Sequence, residues 1–251
     1  MLLFKILLAP VLIAAVTLAG RKWGPAVAGW LLGLPLTSGP VLFFFALEQG
    51  PQFSSQAARG CLLGLIAWAA FTIVYAYCCR KFSWPLSTIL GWLAYFAVAA
   101  ALLPMTMNVV RAFLLVILAL IATLAAFPPG APARDKVFEE KNELWMRMIS
   151  AAVIVLSLTG LARLLGPTKS GLLTTVPAYS TILAVFTHRQ QAAAAITVLK
   201  GVVTGLFTAA VFFLIISLAL LRIGWLPAFA LATLGALVMQ ISTLVYLRRT
   251  A

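Results

Sequence analysis

Two stretches of this chain set hydroxyl groups around a proline inside otherwise apolar sequence. The first reads Gly29-Trp-Leu-Leu-Gly33-Leu-Pro35-Leu-Thr37-Ser38-Gly39-Pro40, and the second Gly171-Leu-Leu-Thr174-Thr175-Val-Pro177-Ala-Tyr179-Ser180-Thr181. Each proline stands roughly ten residues into its apolar run, near mid-depth for a membrane helix. Proline removes a backbone donor and displaces the preceding turn. The carbonyls so freed must be met by protein or water, because lipid offers nothing. Paired interrupted helices at matched positions point to a transport site. The expected substrate contacts are Pro35, Thr37, Ser38, Gly39, Thr174, Thr175, Pro177, Tyr179 and Ser180. Gly39-Pro40 should interrupt the first stretch further. The same residues also serve plain kinks and close packing, so both readings stay open.

A second matched pair adds charge. Arg59-Gly60-Cys-Leu-Leu-Gly64 and Lys200-Gly201-Val-Val-Thr-Gly205 each place a basic residue before two glycines four apart. That glycine spacing lets two helix backbones approach closely. Arg59 and Lys200 either snorkel to the interface or line an entrance that draws anions. A charge deep in the bilayer costs about 2.5–3.5 kcal/mol on insertion scales, so a deep lysine implies a role.

No Asp or Glu falls inside an expected span; Glu48 closes the second one and its copy is Gln190. A proton-driven cation exporter usually needs a buried carboxylate, so the balance favours an anionic or neutral substrate. His188 stands beside Arg189 at a helix end and reads as an interface anchor. The sequence shows no metal-ligand cluster, nucleophile–base pair or phosphate-cradling loop. No enzyme, cofactor or metal is expected. Cys61, Cys78 and Cys79 lack metal-ligand spacing and read as small buried or interfacial residues. The net charge of +13 is spread singly or in pairs at helix ends, which suits anionic head groups rather than nucleic acid.

The elements that must hold these residues are membrane helices. At 64% hydrophobic and 9% charged over 251 residues, the chain cannot cover a soluble surface. Apolar runs over 2–20, 25–47, 57–78, 84–103, 107–127, 147–165, 170–187, 195–221 and 226–247 predict nine spans. The first resembles a secretory signal, but its internal match at 144–163 argues for a retained helix.

The chain also contains itself twice. Shifted by 142 positions, Gly24-Pro25 meets Gly166-Pro167, Arg21 meets Arg163, Gly29 meets Gly171, Pro35 meets Pro177 and Ser38 meets Ser180. With one residue deleted the match continues through Arg59-Gly60 on Lys200-Gly201, Lys81 on Arg222 and Trp84 on Trp225. Glycine, proline and basic residues at fixed spacing do not coincide as apolar letters do. The chain divides into a four-helix repeat over 1–103, a linker helix and loop over 104–143, and a second repeat over 144–251. The unpaired fifth span makes the repeats inverted about an axis in the membrane plane. The stretch from Pro128 to Glu143, with four of the five acids, reads as a cytoplasmic joiner. One face gathers more basic residues, including Arg21, Lys22, Arg80, Lys81, Arg134, Lys136, Lys141, Arg189, Arg248 and Arg249, and so is the cytoplasmic one. That puts the amino terminus outside.

Each repeat resembles the GlpM-like family of small four-helix bacterial inner-membrane proteins. The second carries the likeness on Arg147, Arg163, Ser170-Gly171-Leu172, Pro177 with Tyr179, and Leu226-Pro227-Ala228-Phe229. The first keeps Lys5, Arg21, Ala28-Gly29 and Pro35, but departs at Gly39-Pro40 and at Trp84-Pro85. The resemblance implies an inner-membrane location and a loose connection with envelope or exopolysaccharide production. The expectation is an all-α secondary transporter or flippase for an anionic or lipid-linked envelope metabolite, in contact with membrane lipids. Its rival is a membrane scaffold for envelope-assembly proteins.

Overall fold

The computed structural model describes residues 2–35, 37–105, 107–128, 145–146, 148–149, 153 and 167–250. The acidic part of the joiner lies outside them, as do Arg147, Arg163 and most of the helix expected over 147–165. The described residues form helices without a strand: α1 (Leu2–Trp23), α2 (Pro25–Leu32), α3 (Ser38–Glu48), α4 (Pro51–Cys78), α5 (Trp84–Leu102), α6 (Val109–Ala125), α7 (Pro167–Thr174), α8 (Ala178–Gln190), α9 (Ala192–Ile223) and α10 (Trp225–Thr250). Four are long and apolar enough to cross a membrane: Pro51–Cys78, Trp84–Leu102, Ala192–Ile223 and Trp225–Val245.

Glycine and proline set the boundaries. Gly24 and Gly50 take φ of 89° and 90°, a region costly for any side chain, and each is followed by proline in the first helical turn. The Gly50-Pro51 signal starts α4 six residues before the apolar run that marks it in the sequence. Gly224, at φ 83°, makes the corresponding corner between α9 and α10. Asn108 opens α6 by accepting the Val110 N–H at 3.0 Å.

α4 and α9 form the centre of the molecule and cross antiparallel. Ser55, near the start of α4, bonds Ser217 near the end of α9. Cys79, just past the end of α4, reaches the Ala192 carbonyl at the start of α9. Their inner faces bury Leu62, Leu65, Val203, Leu206 and Phe213 in one apolar cluster. α6 lies against both central helices and buries Ala112, Val116 and Leu120, a stripe at helical spacing.

α2 packs on α9, and α7 packs on α4, so each central helix receives the first half of an interrupted helix from the other end of the sequence. The glycines make this approach possible. A Cβ on Gly29 would meet the Val198 carbonyl, and one on Gly171 the Ala57 carbonyl. One on Gly201 would meet Ala26, and one on Gly60 would meet Thr168. Gly205 lies against Trp30 and Gly33; Gly64 lies against Leu172 and Thr175. Every contact becomes its counterpart when 142 or 141 is added to the number of its first-half residue and subtracted from that of its second-half residue. α5 and α10 flank the pair and keep large apolar side chains outward: the matched Leu93 and Leu234 are 60% and 61% exposed, as suits a lipid-facing surface.

Candidate functional site

The helix ends at Leu32 and resumes at Ser38 around Pro35; it ends again at Thr174 and resumes at Ala178 around Pro177. Both interruptions fall where the prolines predict them. At the first, the last turn of α2 tightens: Gly33 N–H bonds the Trp30 carbonyl and Leu34 N–H the Leu31 carbonyl, both at 3.2 Å. At the second, the matching Thr175 N–H bonds the Leu172 carbonyl at 3.2 Å, and side chains add to it. Thr174 Oγ1 donates to the Gly171 carbonyl and Thr175 Oγ1 to the Leu172 carbonyl, each at 2.7 Å. Cys61 Sγ, from α4, donates to Gly171 O at 3.3 Å, and Tyr95 Oη, from α5, to Leu172 O at 3.0 Å. Carbonyls at the interrupted end of α7 are thus met partly by the opposite half of the chain, as suits a lipid environment.

The two interruptions share one small cavity of about 30 Å³, room for one or two waters. Its walls come in matched pairs: Leu32 with Thr174, Leu34 with Val176, Thr37 with Tyr179, and Trp68 with Ala209, completed by Pro35, Ser38 and Phe213. The cavity therefore straddles the relation between the two halves.

Of the expected contacts, Pro35, Thr37, Ser38, Thr174 and Tyr179 line this space. Ser180 stands just behind, accepting the Trp68 indole N–H at 3.1 Å. Gly39 faces the Phe212 ring, Thr175 is buried against Gly64, and Pro177 is buried at the start of α8. Arg59 and Lys200 are not in the cavity wall. Each lies nine residues before a lining residue of its own helix, Trp68 or Ala209, which is ~13 Å along the axis. Because α4 and α9 run antiparallel, the two cations flank the cavity from opposite ends. Arg59 Nη1 donates to the Met107 carbonyl at 3.4 Å.

Trp68, Phe213, Cys61 and Tyr95 carry no signal in the sequence that sets them apart from other core residues. They belong to the site because the crossing of α4, α5 and α9 brings them there. His188, at the end of α8, approaches Tyr75 Oη through Nδ1 at 3.3 Å. Burial lowers its pKa below the ordinary 6.5, and a hydrogen bond with the Cys79 backbone works the other way.

Comparison with family models, with curated proteins and with solved structures yields no match to this chain. The cavity's own geometry is what any functional reading rests on.

Proposed function

We propose that the protein is a small secondary transporter or flippase of the bacterial inner membrane, moving an anionic or lipid-linked envelope metabolite. The observation that carries this reading is the shared cavity: two interrupted helices from distant parts of the chain open onto one buried space. Transporters of inverted-repeat build place their substrate there, and one half rocks against the other around it.

In this reading the chain crosses the membrane nine times, with α2–α3 and α7–α8 each counting as one broken span. The two four-helix repeats are inverted, and the amino terminus is periplasmic. Support for the inversion comes from the antiparallel crossing of α4 and α9 and from the reciprocal glycine contacts. Two copies related by an axis along the membrane normal would instead set their equivalent helices parallel. A GlpM-like ancestry fits two copies fused through α6, and single-copy relatives would then work as antiparallel dimers. The cavity as it stands is closed to a metabolite, so transport requires the halves to part.

That small size also favours a second reading, a non-transporting scaffold for envelope-assembly proteins, whose interior stays packed. The two differ on water. Cysteines placed at Ser38 and Ser180, in a chain freed of Cys61, Cys78 and Cys79, should react with a membrane-impermeant maleimide from at least one side. Protection from both sides in every condition favours the scaffold.

A further inference from the structure

The cavity's hydrogen-bonding character separates the substrate classes left open above; this inference rests on the same site. Of the carbonyls on its lining residues, those of Pro35, Thr37 and Val176 receive the Gly39, Val41 and Ala178 N–H groups. Of its donors, the Thr174 hydroxyl and the Trp68 indole N–H are taken by the Gly171 carbonyl and the Ser180 hydroxyl. Two further hydroxyls are not. Ser38 lines the cavity at 5% exposure, and its hydroxyl makes no hydrogen bond among the described residues. The Tyr179 hydroxyl is wholly buried there and has no partner among them either.

Both second half-helices also begin at this space. α3 starts at Ser38 and α8 at Ala178, and neither start has a side-chain cap. The N–H groups of Tyr179 and Ser180 find no backbone acceptor among the described residues. A helix N-terminus carries about half a positive charge, and uncapped N–H groups favour an anion. The flanking cations Arg59 and Lys200, one towards each end, raise the local concentration of anions on both approaches. No carboxylate stands among the lining residues to oppose this.

The geometry points to a binding site for a compact, donor-free anion between Ser38 and Tyr179, held by their hydroxyls and by the start of α8. The space admits a bare ion of halide size; a larger substrate would place its anionic group there after the halves part.

The test is thermal unfolding of the full chain in neutral detergent, with sodium bromide exchanged for sodium gluconate at constant ionic strength. Bromide should raise the transition saturably, by mass action on the folded state. Tyr179→Phe and Ser38→Ala each remove one charge-assisted donor, and should raise the bromide needed for half the effect about tenfold. Ser242→Ala, on an exposed face, should leave it unchanged. A transition that does not distinguish bromide from gluconate overturns the proposal, as does a bromide response unchanged in the double variant Ser38→Ala/Tyr179→Phe. Should Ser38→Ala fold poorly, Tyr179→Phe alone decides, because it keeps the ring that packs. Bromide efflux from proteoliposomes separates the two claims. Binding without flux leaves the anion site standing and sinks transport of the ion, whereas flux of a metabolite without bromide binding sinks the anion site alone.

Discussion

Ser55 and Ser217 hold one another across the two central helices. The Ser55 hydroxyl donates to the Ser217 carbonyl at 3.0 Å, and the Ser217 hydroxyl returns to the Ser55 carbonyl at 3.5 Å. Such a pair pins the first turns of α4 to the last turns of α9, and it stands at the end of the bundle where Arg59 lies. Polar contacts between membrane helices contribute about 0.6 kcal/mol on average. Ser55→Ala and Ser217→Ala should each lower stability by about that much in detergent unfolding, enough to loosen this end without unfolding the protein.

The glycine contacts give a sharper contrast. Gly29→Ala and Gly171→Ala would each drive a Cβ into a carbonyl oxygen of another helix, where nothing flexible can yield. Each should cost about 1–3 kcal/mol, the usual range for overpacking. Gly39→Ala would meet the Phe212 ring at an ordinary 3.4 Å, and should be close to neutral. Thermal inactivation of the three variants side by side reads the difference.

His188 sets a pH dependence. Its folded pKa lies below the unfolded value, so the fold resists its protonation. The corresponding stability is present above about pH 6.5 and is lost as pH falls below that value. The charged and titratable neighbours are Tyr75, Cys79 and Arg189. His188→Gln should flatten the acid arm of a stability profile between pH 5 and 7, and an unchanged profile would remove the histidine from the account.

Topology reporters follow from the unpaired helix α6. A reporter fused after Pro104 and another after Phe127 should lie on opposite sides of the membrane. Agreement between them would make the repeats parallel and contradict the inverted arrangement.

Much of the site was legible in the sequence because proline acts locally. Pro35 and Pro177 end their helices by covalent geometry whatever surrounds them, so both interruptions and the hydroxyls beside them could be placed from residues alone. The glycine pairs announced a close approach but not its partner. Gly60 and Gly64 receive α7, and Gly201 and Gly205 receive α2. In helices that are apolar on every face, spacing marks a surface without saying which neighbour covers it. Trp68 was illegible for the same reason, since a single aromatic in an apolar run is core until another helix makes it a cavity wall. The roles of Tyr95 and Cys61 arise only when their helices reach the carbonyls at the end of α7.

The central claim, that the two halves open alternately onto one shared space, is tested most directly by locking one end. In a chain otherwise free of cysteine, Ser55→Cys and Ser217→Cys are cross-linked, and a third cysteine at Ser38 is then exposed to an impermeant maleimide added on either side. The account predicts labelling at Ser38 only from the side away from the cross-link, with access from the other side restored on reduction. Labelling that ignores the cross-link, or none from either side before and after reduction, would contradict it.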